Sequence, residues 1–383
     1  MEGSAEREAR VTPLELFFDL VFVFAFTQVT SLMSADPTAG GVFRGMLVLA
    51  ALWWAWAAYA WLTNTMDPDE GGVRLAVLAV VGALLVLSLA VPQAFGSSAL
   101  LFGIAYFIVR ALHLVLYAIA GREDPDLLGA VRRLTPTATL GPALILTAAF
   151  LDGAPQYALW AVALAVDYLG VLIGHAEGWR VSPHHFVERH GLIVIIALGE
   201  SVVAIGVGAS GQPLDAGVIV AALLGVGVAA TLWWAYFDWV SIVVESRLAS
   251  ASGAARAALA RDAFAYLHLP MVAGIVLFAL GLKKTLANVS DPLATVPALA
   301  LTGGVALYLL AHVCIRLRIG GGLGHGRPTA VLALVVLMPV SLEVSALLAL
   351  AFVAIVCTAL IAYEALRYRE TRAQIRQTRQ VPA

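Results

Sequence analysis

Long apolar stretches separated by short polar segments run through the whole chain. Each of the first ten could cross a membrane as a helix, which takes about 20 residues. They lie near residues 14–33, 44–63, 73–94, 99–120, 134–151, 156–175, 190–209, 216–240, 263–282 and 294–316. The stretch 329–366 is interrupted only around Ser341 to Ser345 and is too long for one span, so it predicts two tightly joined helices. The pattern therefore predicts an all-α, polytopic helical membrane protein with about twelve transmembrane helices.

Composition agrees with this pattern. Of 383 residues, 61% are hydrophobic and 13% charged, whereas soluble domains contain roughly half apolar and a quarter charged residues. A lipid bilayer is therefore the predicted surrounding. The formal net charge of -2 gives no reason to expect nucleic acid as a partner.

The basic residues predict the orientation. Nineteen of the 23 lysines and arginines lie on the side of the chain's two ends, and only Arg44, Lys283 and Lys284 lie opposite, with Arg110 inside a span. Because basic loops stay in the cytoplasm, we expect both termini to be cytoplasmic. The longest predicted loop, about 20 residues, joins helices 8 and 9, and we expect residues 245–261 to form an interfacial helix there.

An internal duplication is a second prediction. The pair Trp53 and Trp54 recurs as Trp233 and Trp234, and the segments 13–15 and 133–138 have counterparts at 186–188 and 326–330. Two parallel six-helix repeats would explain this order, and chance similarity among apolar segments is the alternative. The predicted organisation is a cytoplasmic tail (1–10), a first half (11–178), a second half (179–366) and a basic tail (367–383).

Ionisable residues inside spans are costly, so they usually face a polar interior and mark function. Glu15 and Asp19 are four apart and share a helix face, and Glu200 lies well after Glu188, about 18 Å along the helix axis and half-way across. The structural alternatives are first-turn carboxylates for Glu15 and Glu188, and a neutralising role for Arg110. The candidates for a cytoplasm-facing cavity that holds protons, cations or substrate are Glu15, Asp19, Arg110, His113, Asp167, Glu188, Glu200, Asp238 and His268.

A histidine-rich segment lies at the junction of the two halves. His184, His185, Glu188 and His190 carry the imidazole and carboxylate groups that zinc or iron prefers. No H-E-x-x-H motif is present, and an interfacial loop rich in histidine and arginine is the alternative. Metal binding is therefore a hypothesis that this spacing only suggests.

The tryptophan pairs allow two interpretations. Trp53 and Trp54 lie half-way along a predicted helix, too deep for interfacial anchoring. Together with Trp233 and Trp234 they either pack in the helix bundle, which we favour, or line a pocket for an apolar ligand or lipid.

Three segments resemble the bacterial low temperature requirement protein A family. They are residues 12–23, which read TPLELFFDLVFV; residues 185–191 with 199–201; and the helix of Trp233 and Trp234 that ends at Asp238. The resemblance extends over essentially the whole chain. It implies a protein of the bacterial cytoplasmic (inner) membrane that is needed for growth in the cold, and it implies no particular molecular activity.

These observations favour a secondary transporter or carrier, coupled to protons or cations, for an unknown small solute or lipid. A metal-dependent intramembrane enzyme acting on an apolar substrate is the alternative, and a non-catalytic lipid-binding or sensor protein is the third hypothesis. The sequence contains no phosphate-binding glycine loop, so ATP hydrolysis on this chain is not expected. The oligomeric state stays open, a homo-oligomer included.

Overall fold

The computed structural model describes residues 11–66, 68–69 and 71–367, and it contains the predicted twelve helices. The predicted N-terminal tail (1–10) lies outside the described residues, and so does the predicted basic tail (367–383) except for Arg367, which ends the last helix. The helices are α1 (Pro13–Ala35), α2 (Ala39–Leu62), α3 (Gly71–Ala90), α4 (Ala99–Ala120), α5 (Pro125–Ala148), α6 (Ala154–Ile173), α7 (Pro183–Ala209), α8 (Ala216–Ser250), α9 (Gly253–Ala287), α10 (Thr295–Arg318), α11 (Gly326–Val340) and α12 (Ala346–Arg367).

Ten of these helices are long and apolar enough to cross a membrane, and α5 and α11 are the two that are not. α5 contains Pro136 and Pro142 and has two arginines in its first half. α11 has 15 residues, which span about 22 Å, less than the roughly 30 Å core of a bilayer. The all-α class and the twelve helices are confirmed, whereas twelve full spans are not.

Two helices begin earlier than the hydrophobic pattern predicts. α5 begins at Pro125 rather than near 134, because Asp124 caps it by accepting a hydrogen bond from the Leu127 N–H (3.2 Å). α7 begins at Pro183 rather than near 190, with Ser182 at the N-cap position. Proline suits the first helical position, where its missing N–H has no partner to lose.

The predicted long loop between helices 8 and 9 is wrong. α8 and α9 are each 35 residues long, about 52 Å, and only Ala251 and Ser252 separate them. Each contains a π-helical turn, Tyr236–Val240 in α8 and Arg261–Tyr266 in α9. Such turns insert one extra residue into a helix and occur often at functional sites.

α1 and α7 lie side by side and run in the same direction. Three hydrogen bonds join them in register, from the Val11 N–H to Glu188 (3.1 Å), between His185 and Glu15 (3.1 Å), and from Thr27 to Glu200 (2.6 Å). We call the end of the bundle where both helices begin the basic end, because most loop arginines lie there. That this end faces the cytoplasm stays a prediction.

Glycines allow α9 and α10 to approach closely in the core. A Cβ atom on Gly274 would lie 2.5 Å from the Gly304 carbonyl oxygen, and one on Gly281 would lie 2.6 Å from the Leu301 Cα. In a membrane, helices associate mainly through such close packing, because lipid tails are as apolar as leucine. The close packing of these two helices therefore depends on glycine at both positions.

Candidate functional site

The first group of buried charges joins α1 to α7, and we call Glu15, Asp19, His185 and Arg189 the α1–α7 cluster. Arg189 donates to Asp19 Oδ1 (3.0 Å) and lies 3.6 Å from Glu15 Oε1, while His185 Nε2 lies 3.1 Å from Glu15 Oε2. All four side chains are at most 4% exposed. The predicted shared face of Glu15 and Asp19 is therefore present, and it faces a cation on α7.

Further contacts hold this cluster in place. Glu15 and Thr12 form a reciprocal capping box at the start of α1. Trp56 of α2 donates through Nε1 to Asp19 Oδ1 (2.9 Å), and the Arg189 guanidinium lies over the Phe18 and Trp56 rings at 5.8 and 5.9 Å. Because each carboxylate has a cationic partner, the cluster anchors α1 to α7.

A second buried pair joins α4 to α6. Arg110 donates through Nη2 to Asp167 Oδ1 (3.1 Å), and both side chains are 2% exposed. His113, one helical turn after Arg110, packs its ring against Tyr59 (5.5 Å between centroids) and Tyr117 (4.8 Å). Arg110 therefore pairs with a carboxylate of a neighbouring helix, as its structural interpretation predicts.

The second half contains a similar group that the sequence reasoning missed. Arg327 of α11 forms a bidentate pair with Glu364 of α12 (2.8 and 3.2 Å) and contacts His312 Nδ1 of α10 (2.7 Å). The hydrophobic pattern places Arg327 just before the apolar stretch 329–366, and Glu364 lies inside that stretch. Two features of the sequence could have indicated this pair: Glu364 is a carboxylate within a predicted span, and Arg327 directly precedes a span.

Glu200 differs from the other buried carboxylates. It is 2% exposed and accepts a hydrogen bond from Thr27 Oγ1 (2.6 Å), yet none of the ion pairs in the described part of the chain involves it. Lys283, near the end of α9, acts on it only at longer range. Because α7 begins at Pro183 and ends at Ala209, Glu200 is past the half-way point that we predicted and lies nearer the end opposite the basic end.

A chain of buried histidines continues from α7 to α10. The ring of His190 lies 5.3 Å from that of His268, whose Nε2 lies 3.0 Å from the Tyr236 hydroxyl. The Tyr236 ring in turn packs near the His312 ring (6.2 Å). Tyr236 and the candidate residue Asp238, which is partly buried, both lie in the π-helical turn of α8.

The four residues proposed as metal ligands have separate partners. His184 contacts Glu245 (2.9 Å), His185 contacts Glu15, the Val11 N–H donates to Glu188, and His190 Nδ1 is 2.8 Å from the Phe186 carbonyl. Within the described residues, no group of three or more histidine, cysteine, aspartate or glutamate side chains is arranged to hold a metal ion. The zinc or iron hypothesis therefore has no geometry to support it here.

A partly enclosed cavity lies at the basic end, between α2, α4, α9 and the connection from α6 to α7. Its aromatic walls are Trp54, Trp61, Tyr117 and Trp179. Its other polar side chains are Arg110, His113, His175 and Arg261. Of the nine predicted cavity residues, Arg110 and His113 border this space, whereas Glu15, Asp19 and Glu200 lie in other contacts.

The tryptophan pairs occupy unlike surroundings. Trp54 borders the cavity and stacks on Tyr168 (4.0 Å between centroids), and Trp53 is fully buried, donating to the Ala265 carbonyl (2.7 Å). Trp233 and Trp234 are 45% and 41% exposed on the outer face of α8. An aromatic pocket involving α2 is thus compatible with the structure, and Trp233 and Trp234 face away from it.

Comparison with known proteins gives the family. The chain matches the model of the bacterial low temperature requirement A protein (LtrA) over residues 10–362. It is 31% identical over 313 residues to the "Uncharacterized protein RA0937" of Rhizobium meliloti (strain 1021), an alignment that covers 79% of this chain and 76% of that protein. No solved structure matches the chain. With nearly its full length matched, the twelve-helix chain belongs to the LtrA family of multi-pass membrane proteins.

Proposed function

We propose that this protein is a secondary carrier of the inner membrane that couples movement of a small solute or lipid to protons. Both termini and the basic end face the cytoplasm in this proposal, so the cavity opens to that side. The distribution of arginines supports the orientation. Glu200 then lies towards the opposite side.

Glu200 is the observation that carries the proposal. An ionised carboxylate removed from water needs a cation or several hydrogen-bond donors. Thr27 donates to Glu200, the Thr30 hydroxyl lies beside it, and no ion pair of the described residues involves it. A bound proton satisfies this site most simply. Glu15 and Asp19, in contrast, share the Arg189 guanidinium as a direct cationic partner.

Paired features in the two halves support two parallel repeats. The second helix of each half packs a tyrosine on a histidine of the fourth, Tyr59 on His113 and Tyr236 on His312, although the tryptophan register aligns Tyr236 with Trp56. In each half a carboxylate of the sixth helix pairs with an arginine, which lies on the fourth helix for Asp167 (Arg110) and on the fifth for Glu364 (Arg327). Repeats of this kind rock against each other in many carriers.

Growth of a deletion strain in the cold tests this proposal. We expect the unaltered protein to restore growth and Glu200→Gln to abolish the rescue, because glutamine keeps the shape but cannot exchange a proton. Glu200→Asp, which keeps a titratable group, is expected to rescue partly. The measurement is growth rate at low temperature, at matched protein levels in the membrane.

Glu343→Gln is the matched control, because Glu343 is an exposed carboxylate in the α11–α12 connection. It should rescue fully. Full rescue by Glu200→Gln, at a protein level equal to that of the control, would sink the proton-site proposal.

A further inference from the structure

The charged side chains that line the cavity at the basic end are all arginines. Arg110 and Arg261 border it together with His113 and His175, and no aspartate or glutamate of the described chain is among its lining residues. Arg110 is neutralised by Asp167, whereas Arg261 shares Asp262 with Arg318 at 2.8 Å each. Two arginines on one carboxylate leave an excess positive charge at the wall of the cavity.

Two buried donors at the cavity have no protein partner. Arg110 Nε and the Tyr117 hydroxyl lack a hydrogen bond, and their side chains are 2% and 1% exposed. A buried donor without a partner costs free energy, and donors of this kind are commonly satisfied by a ligand or water. Both residues lie on α4, two turns apart along the same face.

The remaining wall suits a flat apolar group. Trp61 and Trp179 meet edge to face at 6.1 Å, and Tyr117 meets Trp179 at 5.4 Å. Small-molecule sites typically have apolar walls and a few polar groups that fix orientation. The lining of this cavity contains both kinds of side chain.

His175 borders the cavity in the connection from α6 to α7. It has a φ of 52°, which is the single positive φ of a non-glycine residue in the described part of the chain. Left-handed backbone of this kind is costly and often occurs where a side chain must be aimed at a ligand. Its imidazole would add a donor at the mouth of the cavity.

We propose that this cavity binds an organic anion with a flat or apolar body, its charged group held by Arg261 and the free donors of Arg110 and Tyr117. The body lies between Trp54, Trp61 and Trp179. This proposal names the substrate class of the carrier and rests on that function. A dissolved organic anion and an anionic lipid share the required chemistry.

Equilibrium binding to the purified full chain in phosphatidylcholine nanodiscs tests the site without requiring transport. The probes are 2-naphthalenesulfonate and its neutral counterpart 2-naphthalenesulfonamide, measured by equilibrium dialysis. We expect saturable binding of one sulfonate per chain and about tenfold weaker binding of the sulfonamide, the loss typical of a charge-assisted hydrogen bond.

Arg261→Gln is expected to weaken sulfonate binding about tenfold and to leave sulfonamide binding unchanged. Arg132→Gln is the matched control, an exposed arginine on α5 outside the cavity, and should change neither. Equal affinity for the two probes, or unchanged sulfonate binding in Arg261→Gln, would overturn the proposal. Saturable binding together with failed growth rescue would instead keep the site and remove the carrier function.

Phosphatidylglycerol distinguishes the two sources of the anion. If nanodiscs that contain it lower the apparent sulfonate affinity, and Arg261→Gln removes this competition, the occupant is an anionic lipid. If the affinity is the same in both lipids, the occupant is a dissolved organic anion. If the sulfonate does not bind saturably in phosphatidylcholine nanodiscs, and no phosphatidylglycerol stays bound to the protein during purification, the anion site is contradicted.

Discussion

Replacing Arg189 with methionine is expected to destabilise the folded protein by about 3–5 kcal/mol, the usual cost of removing one partner of a buried ion pair. Glu15 and Asp19 would stay buried without their common cation. His185 and Trp56 would then be their remaining side-chain partners. Thermal unfolding of the detergent-purified protein, followed by size-exclusion chromatography, measures the change.

Arg180→Met is the matched control for the loss of an ion pair. Arg180 donates to Asp124 (2.6 Å) in an exposed loop pair, with Arg180 67% exposed. The Leu127 N–H bond at the helix start lowers the pKa of Asp124 even without this partner. The control should change the melting temperature little, because exposed ion pairs contribute little to stability. Equal melting temperatures for the two variants would contradict the anchoring role of Arg189.

Adding one methyl group at Gly281 is the second change with a large expected effect. The new Cβ would lie 2.6 Å from the Leu301 Cα and 2.7 Å from the Leu301 N, and neither backbone atom can move without shifting α10. Overpacking of this kind costs about 1–3 kcal/mol or more, so we expect Gly281→Ala to lower the melting temperature or prevent folding. Gly274→Ala, which meets the Gly304 carbonyl oxygen, should behave alike.

Gly199→Ala in α7 and Gly227→Ala in α8 are the controls, because an added Cβ at either position meets nothing within 4 Å. Alanine is the better helix former by about 1 kcal/mol, so both should be neutral or slightly stabilising. Melting temperatures that fall equally in all four variants would show that the close contact of α9 and α10 is not important.

The number and order of the helices could be predicted from hydropathy because a bilayer requires long apolar segments. The pairing of Glu15 and Asp19 on one face of α1 followed from helical periodicity alone. The predicted first residues of α5 and α7 were wrong, because the first turns of both helices are polar and hydropathy does not detect them. The signals Asp124-Pro125 and Ser182-Pro183 mark both starts, and using them would have placed Arg189 inside α7.

The partners of the charges could not be predicted, because they depend on which helices are neighbours. The hydrophobic pattern places Arg189 and Arg327 just before predicted spans, yet both pair with carboxylates inside the bundle. Of the nine residues predicted to line a polar cavity, Arg110 and His113 border the cavity of this structure. Arg261 and Trp179 also border the cavity, and both lie between the spans that the hydrophobic pattern predicts.

The repeated tryptophan pair illustrates a further limit. The same residue type has different surroundings in the two parts of the chain. Trp53 is fully buried, whereas Trp233 is 45% exposed on a helix face. A helix position has the same sequence pattern whether its neighbour is protein or lipid. The tertiary arrangement decides which of the two is present.

The most direct test of the account is uptake of 2-naphthalenesulfonate into proteoliposomes under an imposed pH gradient. The account predicts that the gradient drives accumulation with the unaltered protein and that Glu200→Gln binds the anion normally but no longer responds to the gradient. Uptake equal to that of protein-free liposomes, or an unchanged response in Glu200→Gln, would contradict a proton-coupled carrier.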